Sequence, residues 1–154
     1  MSGQIVSIHI ASKAEATMTA VDEVRAVAGR GLEGDRYFLH EGTYSETPGT
    51  GRDITFIASE AIEEVARDHN IRLAPGESRR NVTTKGIDLN ALVDKEFRAG
   101  EVVLRGMRLC EPCEYLQGHT GKDGLRKALV HRGGLRADII SGGTIRVGDE
   151  IVAS

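Results

Sequence analysis

The chain contains two cysteines, Cys110 and Cys113, in the segment Met107 to Leu116. Pro112 fixes its own φ and disfavours helical geometry at the preceding residue, so a helix cannot run through the pair. The second thiol is therefore predicted at a chain reversal that follows a strand. We take Cys113 as the candidate reactive residue, a thiolate that binds a metal or carries sulfur.

A Cys-x-x-Cys pair has other ordinary uses. A zinc knuckle needs two more ligands, but the sequence has no second cysteine pair and its five histidines are scattered. A disulfide redox pair is expected to follow a strand and open a helix within a βαβ unit, and the pattern around Cys110 predicts no such unit. The structural alternative is a pair of buried cysteines that act as small hydrophobic residues. These three alternatives stay open beside the hypothesis of a reactive thiolate.

A second candidate site is the run His-Arg-Gly-Gly-Leu-Arg that begins at His131. Gly133 and Gly134 allow backbone amides to approach a ligand closely, and Arg132 and Arg136 supply forked donors that match a phosphate. His131 is a candidate to position a proton or to orient the thiolate. The structural alternative is a histidine that caps the end of a short helix.

The third candidate site is the run Arg79-Arg80-Asn81 at the start of a predicted strand. Adjacent side chains of an extended chain point to opposite sides, so at most one of these arginines is expected to face a pocket, and we prefer Arg80. Asn81 either hydrogen-bonds the polar edge of a ring or shapes a turn. Arg36 is a further candidate, and the alternative for it is a simple pair with Asp35 at a turn.

Charge is distributed unevenly along the chain. Residues 1–78 carry 7 basic and 13 acidic side chains, whereas residues 79–136 carry 12 basic and 7 acidic ones. A basic middle segment around a cysteine suits a small anionic ligand, and the acidic remainder argues against a broad nucleic-acid surface. A solvated basic surface is the alternative that charge alone leaves open.

The length of 154 residues predicts a single domain over residues 1–154, large enough to bury its own core. No apolar run approaches the length of a membrane span, and the first residues lack the basic and apolar regions of a signal peptide. We therefore expect a cytoplasmic protein that does not associate with membranes.

Most of the elements that position the candidate residues are predicted to be short strands. Alternating apolar residues predict a strand over Gln4 to Ala11, and apolar runs predict others. These other runs cover residues 21–27, 54–57, 97–99, 102–104, 107–109, 135–140 and 144–152, with turns at Gly100 and near Arg105-Gly106. Apolar residues at helical spacing predict one amphipathic helix with Ser59 as its N-cap and its end near Asn70. Short helical turns are predicted over residues 88–93 and 125–131.

This pattern indicates the fold class. Many short strands separated by glycine turns, with one clear amphipathic helix, predict a mostly β (α+β) chain. The expected architecture is a small, closed or nearly closed β-barrel. No alternation of strands and helices indicates a parallel sheet.

Six short motifs together span nearly the whole chain. They are Gly34-Asp35-Arg36-Tyr37, Arg79-Arg80-Asn81-Val82, Gly86-Ile87-Asp88-Leu89-Asn90, Leu109-Cys110-Glu111-Pro112-Cys113, His131-Arg132-Gly133-Gly134-Leu135-Arg136 and Gly143-Thr144-Ile145-Arg146-Val147-Gly148-Asp149. Their order and spacing resemble the molybdenum cofactor sulfurase C-terminal (MOSC) domain family, in its small stand-alone bacterial type. The resemblance implies a barrel-like fold, a functional cysteine at Cys113, and handling of sulfur or of the molybdenum–pterin cofactor.

Combined with the resemblance, the candidate residues take specific roles. Cys113 is expected to be the metal ligand and, with His131, the catalytic residue, while Cys110 is a resolving thiol or a structural residue. The expected cofactor-binding residues are Arg80, Asn81, Arg132, Gly133, Gly134 and Arg36. The expected cofactor is molybdopterin with its metal, and no pyridoxal phosphate is expected because the chain has no room for a desulfurase domain.

Three functions follow from this assignment. The first is support for the reduction of N-hydroxylated compounds, with electrons from a separate reductase. The second is a sulfur carrier that receives a persulfide on Cys113 from a cysteine desulfurase and passes it to an acceptor. The third is a non-enzymatic sensor that binds a small anion.

Overall fold

The strands form one closed barrel and one small sheet beside it. The protein is described here by a computed structural model, which covers residues 2–13, 16–36, 38, 51–74, 76–110 and 132–153. The strands are β1 (Ser2–Ile10), β2 (Thr19–Val21), β3 (Glu23–Val27), β4 (Gly31–Leu32), β5 (Ile54–Ala58), β6 (Val82–Lys85), β7 (Glu96–Ala99), β8 (Val102–Leu109), β9 (Leu135–Ser141), β10 (Gly143–Arg146) and β11 (Glu150–Ala153). Helix α1 (Ser59–His69) follows β5, and a turn of 3-10 helix (Leu89–Leu92) follows β6.

Seven strands close into the barrel in the order β11, β7, β8, β9, β5, β6, β1. The closing pair is β1 with β11, where Ser2 lies opposite Val152 and Gln4 opposite Glu150. Strand β2 pairs with the second half of β1, and the small sheet has the order β10, β3, β4. The predicted mostly β, barrel-like fold with one clear helix is confirmed.

The barrel is filled by alternate side chains of its strands. Ile54 and Phe56 of β5 are completely buried, and so are Leu135 and Ala137 of β9. The Phe56 and Phe97 rings meet edge to face with centroids 5.5 Å apart. A pair of this kind adds about 1 kcal/mol beyond its buried area, so it helps to fix the packing of facing strands.

Helix α1 connects two neighbouring parallel strands of the barrel. Strands β5 and β6 pair in parallel, with Phe56 opposite Val82, whereas the other paired strands are antiparallel. A single crossover gives no repeated alternation of strands and helices, so the sequence pattern did not indicate this pair. The helix buries Ala61 and Val65 against the barrel, where Val65 packs with Ile57.

The ends of α1 differ slightly from the sequence prediction. Ser59 is the first helical residue rather than the N-cap, because Ala58 occupies the cap position without a side-chain hydrogen bond. The Ser59 hydroxyl instead donates to the Glu60 carboxylate at 3.3 Å. The helix ends at His69, and Asn70 adopts the left-handed conformation, at the position the sequence indicates.

Two predicted strand limits are wrong. Strand β8 runs from Val102 to Leu109 without the turn predicted near Arg105-Gly106, because Gly106 is accommodated by a register shift in the pairing with β9. The run 144–152 is divided between β10 and β11, which belong to different sheets. Glycine is common both at turns and at β-bulges, so the sequence pattern did not distinguish the two.

Some predictions fall outside the described residues. The short helix over 125–131 and most of the loop over 41–52 are among them. Within the described residues, no helix is long and apolar enough to span a membrane.

Asp53, just before β5, supports a pH-dependent prediction. It accepts a hydrogen bond from the Ile139 backbone N–H at 3.0 Å. Burial raises the pKa of the Asp53 carboxyl above its ordinary value and nearby Asp138 adds to the increase, although the Ile139 and Gly29 N–H groups act to lower it. Between the ordinary and the raised pKa the folded chain binds more protons than the unfolded chain, so stability falls as pH rises through this window.

We expect Asp53→Asn to remove this loss of stability with rising pH, since the amide oxygen still accepts the hydrogen bond from the Ile139 N–H but carries no charge. The free energy of unfolding of the variant, relative to the native protein, should increase from acid to neutral pH. Urea unfolding at several pH values measures this difference, with exposed Asp22→Asn as the control. A difference that is constant with pH, or that decreases, would contradict the assignment.

Candidate functional site

Three buried arginines, Arg36, Arg79 and Arg80, lie together and are termed the arginine cluster. Their exposed fractions are 6%, 5% and 7%. In the described part of the chain the fully buried carboxylate is that of Asp35, at 0% exposure. A buried charge is costly unless it is balanced, and Asp35 balances Arg36 through an ion pair at 3.0 Å.

Arg80 joins three separate parts of the backbone. Its Nε donates to the Gly133 carbonyl at 2.8 Å, its Nη2 to the Cys110 carbonyl at 3.0 Å, and its Nη1 to the Ser78 carbonyl at 3.3 Å. A guanidinium has five N–H donors in a rigid plane, so these three bonds fix its orientation and leave two donors for other groups.

The junction held by Arg80 lies where β8 ends and the chain returns toward β9. The Cys110 N–H donates to the Gly134 carbonyl at 2.7 Å, beside the two carbonyls that accept from Arg80. Gly134 has φ +111°, and a Cβ there would overlap the Phe56 carbonyl oxygen. Only glycine satisfies both conditions, which gives this predicted site residue a backbone role.

Arg36 is connected to the arginine cluster through backbone as well as charge. Its Nη1 donates to Asp35 Oδ1 at 3.0 Å and lies 3.5 Å from the sulfur of Met18, while its Nη2 donates to the Arg79 carbonyl at 3.1 Å. Asp35 Oδ1 also accepts from the Ala11 N–H at 3.1 Å. The pairing of Arg36 with Asp35 that the sequence suggests is therefore present, inside the cluster.

Arg79 departs from the sequence expectation. It has φ +64°, in the left-handed region, so the chain is not extended there and the two adjacent side chains do not alternate. Arg79 and Arg80 are both buried, and Arg79 Nη1 donates to the Ala16 carbonyl. The premise of an extended backbone therefore fails, and the expectation that at most one of the two arginines faces a pocket stays a prediction.

Asn81, just before β6, connects the barrel strands β5 and β1. Its Oδ1 accepts from both the backbone N–H and the hydroxyl of Thr55, each at 3.1 Å, and its Nδ2 donates to the His9 carbonyl at 3.2 Å. These bonds use three of the four hydrogen-bonding positions of the amide. With 1% exposure, Asn81 is a bridge between strands β5 and β1 in this structure.

A groove of about 490 Å³ lies beside the same junction. It runs between the start of α1, the segment after β6, and the chain that leads into β9. The charged and amide side chains that line it are Glu60, Glu64, Asp88, Asn90 and Arg132. Gly134 also lines it, so the groove and the arginine cluster share the segment 132–134.

Arg132 is turned toward α1 rather than toward the arginine cluster. Its Nη1 donates to Glu64 Oε2 at 3.0 Å, and its Nη2 lies 3.1 Å from His69 Nε2. Of the predicted binding residues, Arg36, Arg80, Asn81 and Gly133 therefore meet around residues 78–81. Arg132 and Gly134 lie on the groove instead.

The comparison with family models agrees with this architecture. The model of the MOSC domain matches residues 43–152, which is more than half of the chain. The chain belongs to the MOSC domain family. Among curated proteins, no match is found.

Solved structures share the fold of this MOSC domain over its full length. YuaD from Bacillus subtilis is 21% identical with a TM-score of 0.81, and the alignment covers 100% of this chain and 97% of that one. YiiM from Geobacillus stearothermophilus is 18% identical with a TM-score of 0.74, covering 99% and 75%. YiiM from Escherichia coli is 18% identical with a TM-score of 0.72, covering 100% and 70%. At these identities the similarity shows the fold alone.

Two predicted site residues of this MOSC domain, Cys113 and His131, lie outside the described residues, so their roles stay predictions. The structure also places residues at the site that sequence reasoning missed, namely Arg79, Glu64 and His69. Glu64 and Arg132 are 68 residues apart in sequence. No local pattern could have paired them, although the helical spacing correctly places Glu64 and His69 on one helix.

Proposed function

We propose that this MOSC domain binds the molybdenum cofactor, with the Cys113 thiolate as a ligand of the metal and the arginine cluster beside the pterin phosphate. The observation that carries the proposal is the position of Arg80. This buried guanidinium holds Cys110 and Gly133, the residues that flank the segment containing Cys113 and His131. Arg80 therefore holds the described residues at both ends of the predicted reactive segment.

Chain connectivity supports this arrangement. Three residues of extended chain span at most about 11 Å, so the Cα of Cys113 lies within that distance of the Cα of Cys110. His131 directly precedes Arg132 and is therefore within about 4 Å of it, measured between Cα atoms. Chain length is therefore compatible with the proposed roles of both residues.

The residues present fit the cofactor in charge and in ligand type. Arginine binds phosphate through paired N–H donors, and Arg80 retains two donors beyond its three backbone bonds. A cysteine thiolate is a suitable ligand for a soft-tolerant metal such as molybdenum. When bound, the cofactor supplies two-electron redox chemistry, and the protein supplies binding, orientation and electrostatics.

We further propose that the loaded domain supports the reduction of N-hydroxylated compounds, with electrons from a separate reductase. The chain's own contribution is to bind and orient the substrate near Cys113 and to hold a proton at His131. The groove supports separate positions for substrate and cofactor, because it adjoins the segment 132–134 without overlapping the arginine cluster.

The molybdenum content of purified Cys113→Ser tests the proposal. Protein produced with the cofactor available should carry about tenfold less molybdenum than the native chain, since loss of one ligand removes a direct metal bond. Cys110→Ala is the matched control, because that thiol is completely buried and its backbone makes the junction bonds. Unchanged loading of Cys113→Ser would exclude the proposed ligation.

The same cysteine also suits the second function, a sulfur carrier. Incubation with a cysteine desulfurase and its substrate, followed by mass spectrometry, separates the two. Added sulfur mass on Cys113 in protein that does not load molybdenum would favour the carrier. A sensor of small anions would show neither the metal nor the added sulfur.

A further inference from the structure

His9 is a buried histidine that the proposed function does not use. It lies on β1 with an exposed fraction of 3%, and in the described part of the chain its Nδ1 has no hydrogen-bond partner. Desolvation by burial lowers the pKa of the His9 imidazole below its ordinary value. A buried polar atom without a partner is rare in native proteins and is a common mark of a strained or functional position.

The segment 76–79 covers the His9 ring. Gly76 packs directly against it, since a Cβ on Gly76 would lie 2.8 Å from His9 Cδ2 and 3.3 Å from His9 Cγ. The Met18 Cβ lies 3.1 Å from the same point, so it closes the ring from another side. Gly76 has φ +80° and belongs to a turn. The ring is therefore covered by a turn rather than by a strand of the barrel.

The covering segment carries two members of the arginine cluster. The Arg79 N–H donates to the Gly76 carbonyl at 3.0 Å, and Arg80 follows directly in the chain. The next residue is tied to His9, because the His9 N–H donates to the Asn81 carbonyl at 2.6 Å and Asn81 Nδ2 donates to the His9 carbonyl at 3.2 Å. Movement of the segment 76–79 away from the ring would therefore displace the arginine cluster.

The charged side chains on the elements around His9 are mostly basic. Strand β2, where Ala20 lies opposite His9, carries none, and Lys85 of β6 lies opposite Gln4, toward the other end of β1. The other charged side chains described on the neighbouring segments are Lys13, Asp35, Arg36, Glu77, Arg79 and Arg80. Four basic groups against two acidic ones leave a formal charge of +2 around the ring.

The two carboxylates of this set are bonded to other groups. Asp35 pairs with Arg36 at 3.0 Å, and Glu77 accepts from the Ala74 N–H at 2.8 Å. As far as the chain is described, neither carboxylate makes an ion pair or a hydrogen bond with the His9 ring. A proton on His9 would therefore add an uncompensated charge to a surrounding that is already positive.

We propose that His9 is a pH-sensitive switch, in which protonation of the buried ring opens the segment 76–79 and separates the arginine cluster. The protonated ring has a charge and two N–H donors, so it is costly to bury without acceptors. Opening the turn hydrates the ring at lower cost than unfolding the barrel. The described backbone hydrogen bonds inside the turn, from Glu77 to Ala74 and from Arg79 to Gly76, are local.

The direction of the pH effect follows from the two states of the ring. In the open state His9 is hydrated and has an ordinary pKa of about 6.5, whereas in the closed state its pKa is lowered. Between these values the open state binds more protons, so closure is fully stable above about pH 6.5 and weakens as the pH falls. At pH 5.5 the opening constant should rise about tenfold, the largest change that one proton gives over one pH unit.

Hydrogen exchange measured by mass spectrometry on the full chain without cofactor tests the switch. After correction for the intrinsic exchange rate, peptides over residues 76–82 should exchange about tenfold faster at pH 5.5 than at pH 7.5, while β8 changes little. His9→Gln should remove the acceleration, because its amide takes up no proton. His69→Gln, at an exposed histidine of α1, is the control and should keep it. Equal acceleration in native protein and His9→Gln, or acceleration spread over the whole barrel, would overturn the inference.

The native protein provides a second measurement, which holds even where His9→Gln does not fold. In an NMR titration the His9 ring signals should change together with the amide signals of Gly76 and Arg79, because one event protonates the ring and opens the turn. A ring that takes up a proton while these amide signals stay unchanged would overturn the switch.

The link from the switch to cofactor release rests on the proposed function, but the exchange experiment does not. A chain that never loads molybdenum can still show the opening, and only the link to the cofactor would then be withdrawn. In a chain that does load it, native protein held at pH 5.5 should lose molybdenum faster than His9→Gln, because the arginine cluster separates. Equal retention in the two proteins would overturn the link.

Discussion

Arg80→Met is expected to lower the free energy of unfolding by about 3–5 kcal/mol, because each buried acceptor that loses its donor costs about 1–3 kcal/mol. Three buried carbonyls, those of Ser78, Cys110 and Gly133, would lose their donor. Methionine fills much of the volume but donates no hydrogen bond, so the loss is mainly polar. Loading of molybdenum should fall as well, because the chain on both sides of the Cys113 segment is released.

Chemical unfolding gives the stability, and amide exchange at Cys110 reports the junction directly, because its N–H donates to Gly134. Arg80→Lys should retain part of the stability, since one ammonium cannot reproduce three bonds in a plane. Arg98→Met is the control, because Arg98 is exposed on β7 and should change stability by less than about 0.5 kcal/mol. Equal effects at the two positions would refute the role assigned to Arg80.

Asp35→Ala is expected to have an effect of similar size, about 3–5 kcal/mol, because it leaves Arg36 buried without its carboxylate. The side chains of Arg36 and Asp35 are 8% and 0% exposed, so water does not replace the lost partner. The Ala11 N–H would lose its acceptor too. The arginine cluster would then be more positive and less stable.

Urea unfolding of Asp35→Ala measures this cost against exposed Asp22→Ala. A double variant that adds Arg36→Met should recover part of the stability, since a buried ion pair is often replaced by apolar residues at little cost. Recovery separates a charge effect from simple loss of packing. If the double variant were less stable than Asp35→Ala by the full cost of a second core substitution, the pair would not be coupled.

Much of the barrel could be predicted from the sequence because several of its strands alternate between buried and more exposed positions. In β7 and in the first five residues of β9 the buried side chains recur at every second position, and the helical spacing defined α1 to within a residue or two. The parallel pairing of β5 with β6 could not be predicted, because it depends on contacts across the crossover rather than on local periodicity. The β-bulge at Gly106 in β8 could not be predicted for the same reason, because it depends on the pairing with the neighbouring strand.

The candidate site was predictable in residue type but not in contacts. The sequence identified Arg36, Arg80, Asn81 and Gly133, and the structure brings them together around residues 78–81. The sequence did not indicate that Arg80 donates hydrogen bonds to three backbone carbonyls, or that Asn81 bridges strands. Hydrogen-bond partners that are tens of residues apart are fixed by the closed barrel, so they become visible only with coordinates.

The central claim is that the thiolate of Cys113 is a ligand of molybdenum, and X-ray absorption spectroscopy tests it most directly. The number of sulfur atoms bound to the metal would be measured in the loaded native protein and in loaded Cys113→Ser. The account predicts one sulfur fewer in the variant, or no retained metal. The same number of sulfur ligands at equal molybdenum content would contradict it.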